Sequence, residues 1–414
     1  MLKGESIVPS DKQKQIFDFP TEIVNEGDVR VAVPKLEAFI NAPGDYAPSK
    51  APVFYNPLME INRDLAVLAL QSYQRVVKRD LVVSEPLAGC GIRGIRFASE
   101  IKCIQKIFLN DINPEAVKLT QYNVITINHL DGIVSVTNED ANLFLSRYAA
   151  PHKRFDFIDI DPFGSPVAYV DSAIRALRDG GLIALTATDM APLCGVYPNV
   201  SLRKYGGISL RTEYCHELAV RLLAGYLARM AAKYNAGVKI LFSHSTDHYI
   251  RIYAALNHGA KRAEESIRKM GYILHCFICL HREAHMDIAP YLKGECKICG
   301  SHLKVAGPLW LDKICDRDLC ESMEQENLTR NLRNKRRILK LISLIKGESD
   351  GPSTYYVLDR ICDKFDLPVP PLKDVMDELR KAGFQVVPTH FNNSGFRTNA
   401  PAEIMKEIIL KVSN

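Results

Sequence analysis

The chain has 414 residues, of which 47% are apolar and 24% charged, with 11 cysteines and a formal net charge of +5. That length exceeds one compact core and implies two or three domains of ordinary globular composition. The mild charge excess excludes a uniformly basic nucleic-acid coat. No apolar run approaches the roughly 20 residues that span a bilayer, and the opening MLKGESIVPSDKQK lacks a signal-peptide core. A cytoplasmic protein without a membrane partner is expected, and an odd cysteine count in that compartment favours metal binding or burial over disulfides.

In chain order, a Pro-rich extended segment, APGDYAPSKAPVFYNP, leads into a helix expected from about Met59 to Val77. From Leu81 the pattern alternates short β-branched runs with helical stretches: LVVSEP, then IRGIRFASEI; KIFLND, then NPEAVKLTQYNVITIN; IVSVTNED, then ANLFLSRYAA; FDFIDID, then SPVAYVDSAIRALRDGG; and finally LIALTATD. Such alternation predicts an α/β fold, a doubly wound, mostly parallel sheet with helices on both faces. Ligands of such sheets bind beyond the carboxyl ends of the strands. Glu85, Asp111, Asp140 and Asp161 fall at those ends in four successive units. A second region begins near Asn257 to Arg268, so residues 1–258 and 259–414 are expected to be separate domains, the latter α+β. Two short helices and a strand ending in QVVPTH resemble a winged-helix module.

Two stretches carry chemistry. Gly89-x-Gly91-x-x-Gly94, with Asp111 following, matches a dinucleotide-binding fingerprint. Its glycines allow a tight turn and close approach of a ligand, a need that S-adenosylmethionine sites share with NAD sites. The second stretch is Asp161-Pro162-Phe163-Gly164. Asp-Pro after a strand is an ordinary turn opening. It can also hold an amine, because a carboxylate and a backbone carbonyl each accept one N–H while proline offers no competing donor. The adjacent aromatic presents a π-face to an extruded base. Acids after the second and third strands, with acid-Pro-aromatic after the fourth, favour S-adenosylmethionine over NAD.

Cys276-x-x-Cys279 and Cys296-x-x-Cys299 form two knuckles at the spacing of a tetrathiolate zinc ribbon, which has no open coordination position and so a structural role. His275, His281 and His285 fit the paired pattern less well.

VFYNPLMEINRDL, AGCGIRGIRFA, LNDINPEA, EDAN, FDFIDIDPFGSP, TATDMAPLCGVYP, LRKYGGISLRTEYCHE and THFNNSGFRTNAP resemble, in order and over nearly the whole chain, the motifs of the tRNA (guanine-26-N2)-dimethyltransferase family. The resemblance implies a Rossmann-like methyltransferase fold and transfer of methyl groups from S-adenosylmethionine to the exocyclic N2 of a tRNA guanosine, by a monomer. It puts Arg63, Arg93, Asp111, Asp140 and Ala141 on the cofactor and Asp161 at the target amine as hydrogen-bond and proton acceptor. Phe163 and Phe54 would then lie on either face of the flipped guanine. Leu58 stands where an arginine is often expected, and Glu85 replaces the more usual aspartate. Other readings are an N-methyltransferase for DNA, rRNA or protein, or a tRNA-binding protein with an inactive methyltransferase fold. Leu328 to Lys346 carries seven cations and no acid, with Leu328, Leu332, Leu339 and Ile342 on one face of an expected single helix; the cations are expected to meet phosphates.

Overall fold

The computed structural model describes residues 16–40 and 47–413. The opening MLKGESIVPSDKQK and residues 42–46 of the Pro-rich segment lie outside them. Strand Leu81–Glu85 pairs in parallel with both Ile104–Asp111 and Phe155–Ile160. Val134–Asn138 extends one edge in parallel, and Leu177–Ala187 continues the other. A hairpin of Ala236–Thr246 and Tyr249–His258 completes the sheet antiparallel. Numbered by chain position within this seven-stranded sheet, the spatial order is 3-2-1-4-5-7-6. The doubly wound, mostly parallel sheet is as expected from the alternation of runs.

The strands are apolar runs because both faces are covered. Along the fifth strand Leu182 and Ala184 join one core, while Ile183 and Leu185 join the other. Helices Glu60–Val77, Ile92–Glu100 and Pro114–Tyr122 cover the first face. Ala141–Arg147, Val167–Ala176 and Cys215–Ala232 cover the second. Local chemistry starts several of them. Asn113 caps a helix whose first residue is Pro114, and Asp140 Oδ1 accepts from the amides of Asn142 and Leu143. A hairpin of Thr21–Glu26 and Val29–Pro34 precedes the sheet and packs into the first core.

Two expectations are corrected. The helix read through LRDGG ends at Ala176, and the fifth strand already starts at Leu177, because Gly180 adopts a φ of +69° and Gly181 sits tight against the Leu177 side chain. The single basic helix is two: Arg317–Thr329 and Lys335–Gly347 meet at a turn. Leu328 is exposed, while Ile338, Ile342 and Ile345 anchor the second helix.

The hydrophobic core runs across residue 258. Met270, Ile273, Ala306, Leu309 and Trp310, from a three-stranded antiparallel ribbon of Met270–His275, Arg282–His285 and Lys304–Trp310, belong to the same cluster as helix Cys215–Ala232. Residues 356–409 have a core of their own, joined by Leu280. There helices Leu358–Phe365 and Leu372–Lys381 precede the paired strands Val386–Pro388 and Gly395–Thr398.

Candidate active site

The carboxyl ends of the first four strands bring the acids together. Gly89 and Gly91 have φ of +56° and +76°, and a Cβ on Gly91 would collide with Thr120, so the turn needs glycine there. Asp111 holds this turn: its Oδ2 accepts from Gly89 N at 2.8 Å and its Oδ1 from Asn113 N at 2.9 Å. Glu85 accepts from Gly94 N at 3.0 Å. Burial pushes the Glu85 carboxyl up to about 8; Arg93 opposes that push, while Asp159 and Asp161 add to it. Asp140 is a helix cap, and Ala141 beside it is buried.

The two arginines differ. Arg63 is buried and grips Glu26 of the N-terminal hairpin through Nε and Nη2, at 2.5 and 2.6 Å. Its Nη2 also donates to the carbonyl of Asn56. Arg93, on the first turn of Ile92–Glu100, reaches inward instead. Nη1 meets Asn62 Oδ1 at 2.8 Å and Asp159 Oδ2 at 3.3 Å, Nε lies 3.4 Å from Glu85, and Nη2 donates to Asp161. Asp159 in turn binds Arg251 at 2.5 Å. Both Asp159 and Arg251 have fully buried side chains.

Asp161 follows the fourth strand with a side chain 18% exposed. Phe163 is 72% exposed, and its ring meets that of Phe54 edge to face with centroids 4.7 Å apart. The expected pair of aromatics is thus brought together, but a planar base between them needs parallel rings about 7 Å apart, twice the stacking distance. The loop is tied to the one after the fifth strand: Gly164 N donates to Thr188 Oγ1, and Thr188 N to Gly164 O. Next along, Asp189 accepts from Tyr205 Oη and Lys204 Nζ. Leu58 is an exposed surface residue.

The sequence reading missed Asn62, Asp159, Arg251 and Glu26. Asp159 carried a signal, since an acid inside the run FDFIDID must be paired once buried. Arg251 within YIRIYAAL carried the matching one.

Away from this site the four knuckle cysteines converge, with Sγ atoms all within 4.8 Å of one another. Cys276–Cys299 and Cys279–Cys296 lie at 3.5 Å, near the edge of about 3.8 Å for a tetrahedron of sulfurs around a metal at 2.3 Å. Each knuckle closes alike, with Leu280 N on Cys276 O and Gly300 N on Cys296 O. Both closing residues have left-handed φ.

The seven cations of residues 328–346 are mostly engaged within the fold. Arg330 binds Glu100 and Glu326, Arg333 binds Glu60, Arg337 binds Asp247 and Lys346 binds Glu324. Lys335 Nζ meets the carbonyls of Leu328 and Arg330. Arg336 and Lys340 are exposed.

A doubly wound sheet in that strand order, with a glycine turn, acids at the strand ends and an acid-Pro-aromatic corner, defines a methyltransferase of the Rossmann-like class. The chain belongs to the N2,N2-dimethylguanosine tRNA methyltransferase family, whose model matches residues 27–410. It is 43% identical to the tRNA (guanine(26)-N(2))-dimethyltransferase of Methanothermobacter thermautotrophicus, over 93% of this chain and 98% of that protein. It is 36% identical to the tRNA (guanine(26)-N(2)/guanine(27)-N(2))-dimethyltransferase of Aquifex aeolicus, over 94% of this chain and 95% of that one. Among solved structures it is similar to Trm1 from Pyrococcus horikoshii in complex with S-adenosyl-L-methionine, with a TM-score of 0.81 and 32% identity. The match covers 94% of this chain and 99% of that one.

Proposed function

We propose that the protein is a cytoplasmic, monomeric tRNA (guanine-26-N2)-dimethyltransferase that uses S-adenosylmethionine. The observation that carries this is Asp161-Pro162-Phe163 at the end of the fourth strand, beside the glycine turn and in ring contact with Phe54. The cofactor supplies an activated sulfonium methyl. What supports this reading is a tight glycine turn, Asp111 accepting from the backbone amides of Gly89 and Asn113 with lone pairs left for ribose hydroxyls, and the small Ala141 beside the cap at Asp140. Asp159 Oδ1 is buried in this corner without a hydrogen-bond partner among the described residues. Arg93 and Arg63 are the cations for the methionine carboxylate.

The chain's own task is to position guanine N2, whose lone pair is delocalised into the ring. Asp161 and the Pro162 carbonyl accept its two N–H bonds, which turns the nitrogen toward the methyl, and Asp161 takes the proton released. Phe54 and Phe163 part to hold the base. Asp161→Ala tests the assignment: methyl transfer to unmodified tRNA falls by at least about 10²-fold, and near-normal turnover overturns it.

The knuckle cysteines hold one structural zinc ion, supported by an all-sulfur donor set at tetrahedral spacing. tRNA is bound across the C-terminal region, residues 259–414, with phosphate contacts at Arg336 and Lys340.

A further inference from the structure

Arg93 is the most heavily contacted cation of the site, and its contacts are unequal. Nη1 and Nε face Asn62, Asp159 and Glu85, whose side chains are buried, so three anchors keep the guanidinium in place. Nη2 alone points to a partner with solvent access, Asp161. Arg63, the other cation available to a ligand carboxylate, has Nε and Nη2 committed to Glu26, which is 3% exposed. Releasing Glu26 would leave a buried carboxylate to Arg96 alone, with the Oε2 that Arg63 holds unpaired; releasing Asp161 leaves its carboxylate facing water and the incoming base.

We infer that Arg93 Nη2 is a shared donor: without cofactor it holds the Asp161 carboxylate, and the methionine carboxylate of the cofactor takes its place, releasing Asp161 to receive the guanine amine. This rests on the proposed use of S-adenosylmethionine and goes beyond it, because it makes amine acceptance conditional on cofactor and sets an order of binding, cofactor before base. No covalent bond changes. One hydrogen bond passes from one carboxylate to another while Arg93 stays fixed by Asn62, Asp159 and Glu85.

The test is binding by calorimetry, independent of turnover, with two probes: S-adenosylhomocysteine, which has the amino-acid carboxylate, and 5′-methylthioadenosine, which lacks it. Asp161→Asn removes the competing charge, so S-adenosylhomocysteine binds about tenfold tighter, a factor equivalent to about 1.4 kcal/mol. Binding of 5′-methylthioadenosine stays within about twofold. In an Arg93→Gln background the same Asp161→Asn change has no effect on either probe. Equal tightening in that background means that Asp161 acts as a bulk negative charge, and overturns the inference. Unchanged S-adenosylhomocysteine affinity in Asp161→Asn overturns it too. Neither outcome touches the amine-clamp reading, which the Asp161→Ala turnover decides, whereas failure of the wild-type protein to bind either probe overturns the cofactor reading itself.

Discussion

Replacing Phe163 by alanine separates substrate stacking from folding. The side chain is 72% exposed and touches Phe54 edge to face, so its removal takes little apolar area from the folded core. An aromatic pair contributes about 0.5–1.5 kcal/mol when buried, and exposure at this site puts its share at the lower end. The melting temperature of Phe163→Ala should therefore fall by less than about 3 °C. A base stacked on an aromatic ring is worth about 1–3 kcal/mol. If that interaction forms as the base enters the slot, kcat/KM drops roughly 5- to 150-fold. Phe163→Tyr keeps a π-face and most of the activity; Phe163→Leu keeps volume and loses it. The assay is methyl incorporation into unmodified tRNA under subsaturating conditions, followed by nucleoside analysis, with thermal unfolding in parallel. Activity of Phe163→Ala within twofold of wild type would refute the stacking role, as would leucine performing as well as tyrosine.

Metal analysis of purified protein should give about one zinc per chain, and Cys276→Ser with Cys299→Ser should abolish it; a metal-free wild-type protein would exclude the tetrathiolate site. Substituting glutamine at Arg336 and Lys340 should lower the slope of log tRNA affinity against log salt by about 1–2 while leaving stability alone. Arg330→Gln should instead cost about 1–2 kcal/mol of stability in urea titration, since it takes one of two arginines from each of Glu100 and Glu326, leaving them to Arg96 and Arg75. The reverse pattern would show that Arg330 faces the phosphates. Burial alone would raise the Glu348 carboxyl, but His390 and Arg397 hold it at about 2, below its ordinary 4.5. A depressed folded-state value stabilises above the unfolded value and loses that contribution as pH falls from about 4.5 toward 2. Acid unfolding in that window should be blunted in Glu348→Gln, and an unchanged acid profile in that variant rules out Glu348 as its source.

The parallel strands were legible because a sheet covered on both faces writes uninterrupted apolar runs, and the acids at their ends stood out against them. Helix Glu60–Val77 came within a residue of expectation. What stayed hidden depends on partners far apart in the chain. Nothing near Arg63 announces Glu26, 37 residues earlier, and nothing near Arg93 announces Asp161, 68 residues later. The break between Thr329 and Lys335 was hidden for a related reason. Leu328 and Leu332 share a spacing that suits one continuous helix, and the turn rests on contacts the spacing does not show: Asn327 Nδ2 and Lys335 Nζ bridge the two helices through backbone carbonyls, and Arg317–Thr329 packs on Glu60–Val77. The cysteine knuckles were the easiest to read, being local in sequence.

The ribbon that carries those knuckles is rooted at one end and crowned at the other. Trp310, Leu309 and Met270 at its base are planted among the side chains of helix Cys215–Ala232, whereas Leu274, Cys276, Cys296 and Leu303 make a small separate cluster at its tip. Loss of the proposed zinc would therefore fray the crown and spare the root. Trimming the chain after His258 would do the opposite, stripping helix Cys215–Ala232 of its outer cover, so no shortened enzyme ending there can be expected to stay in solution.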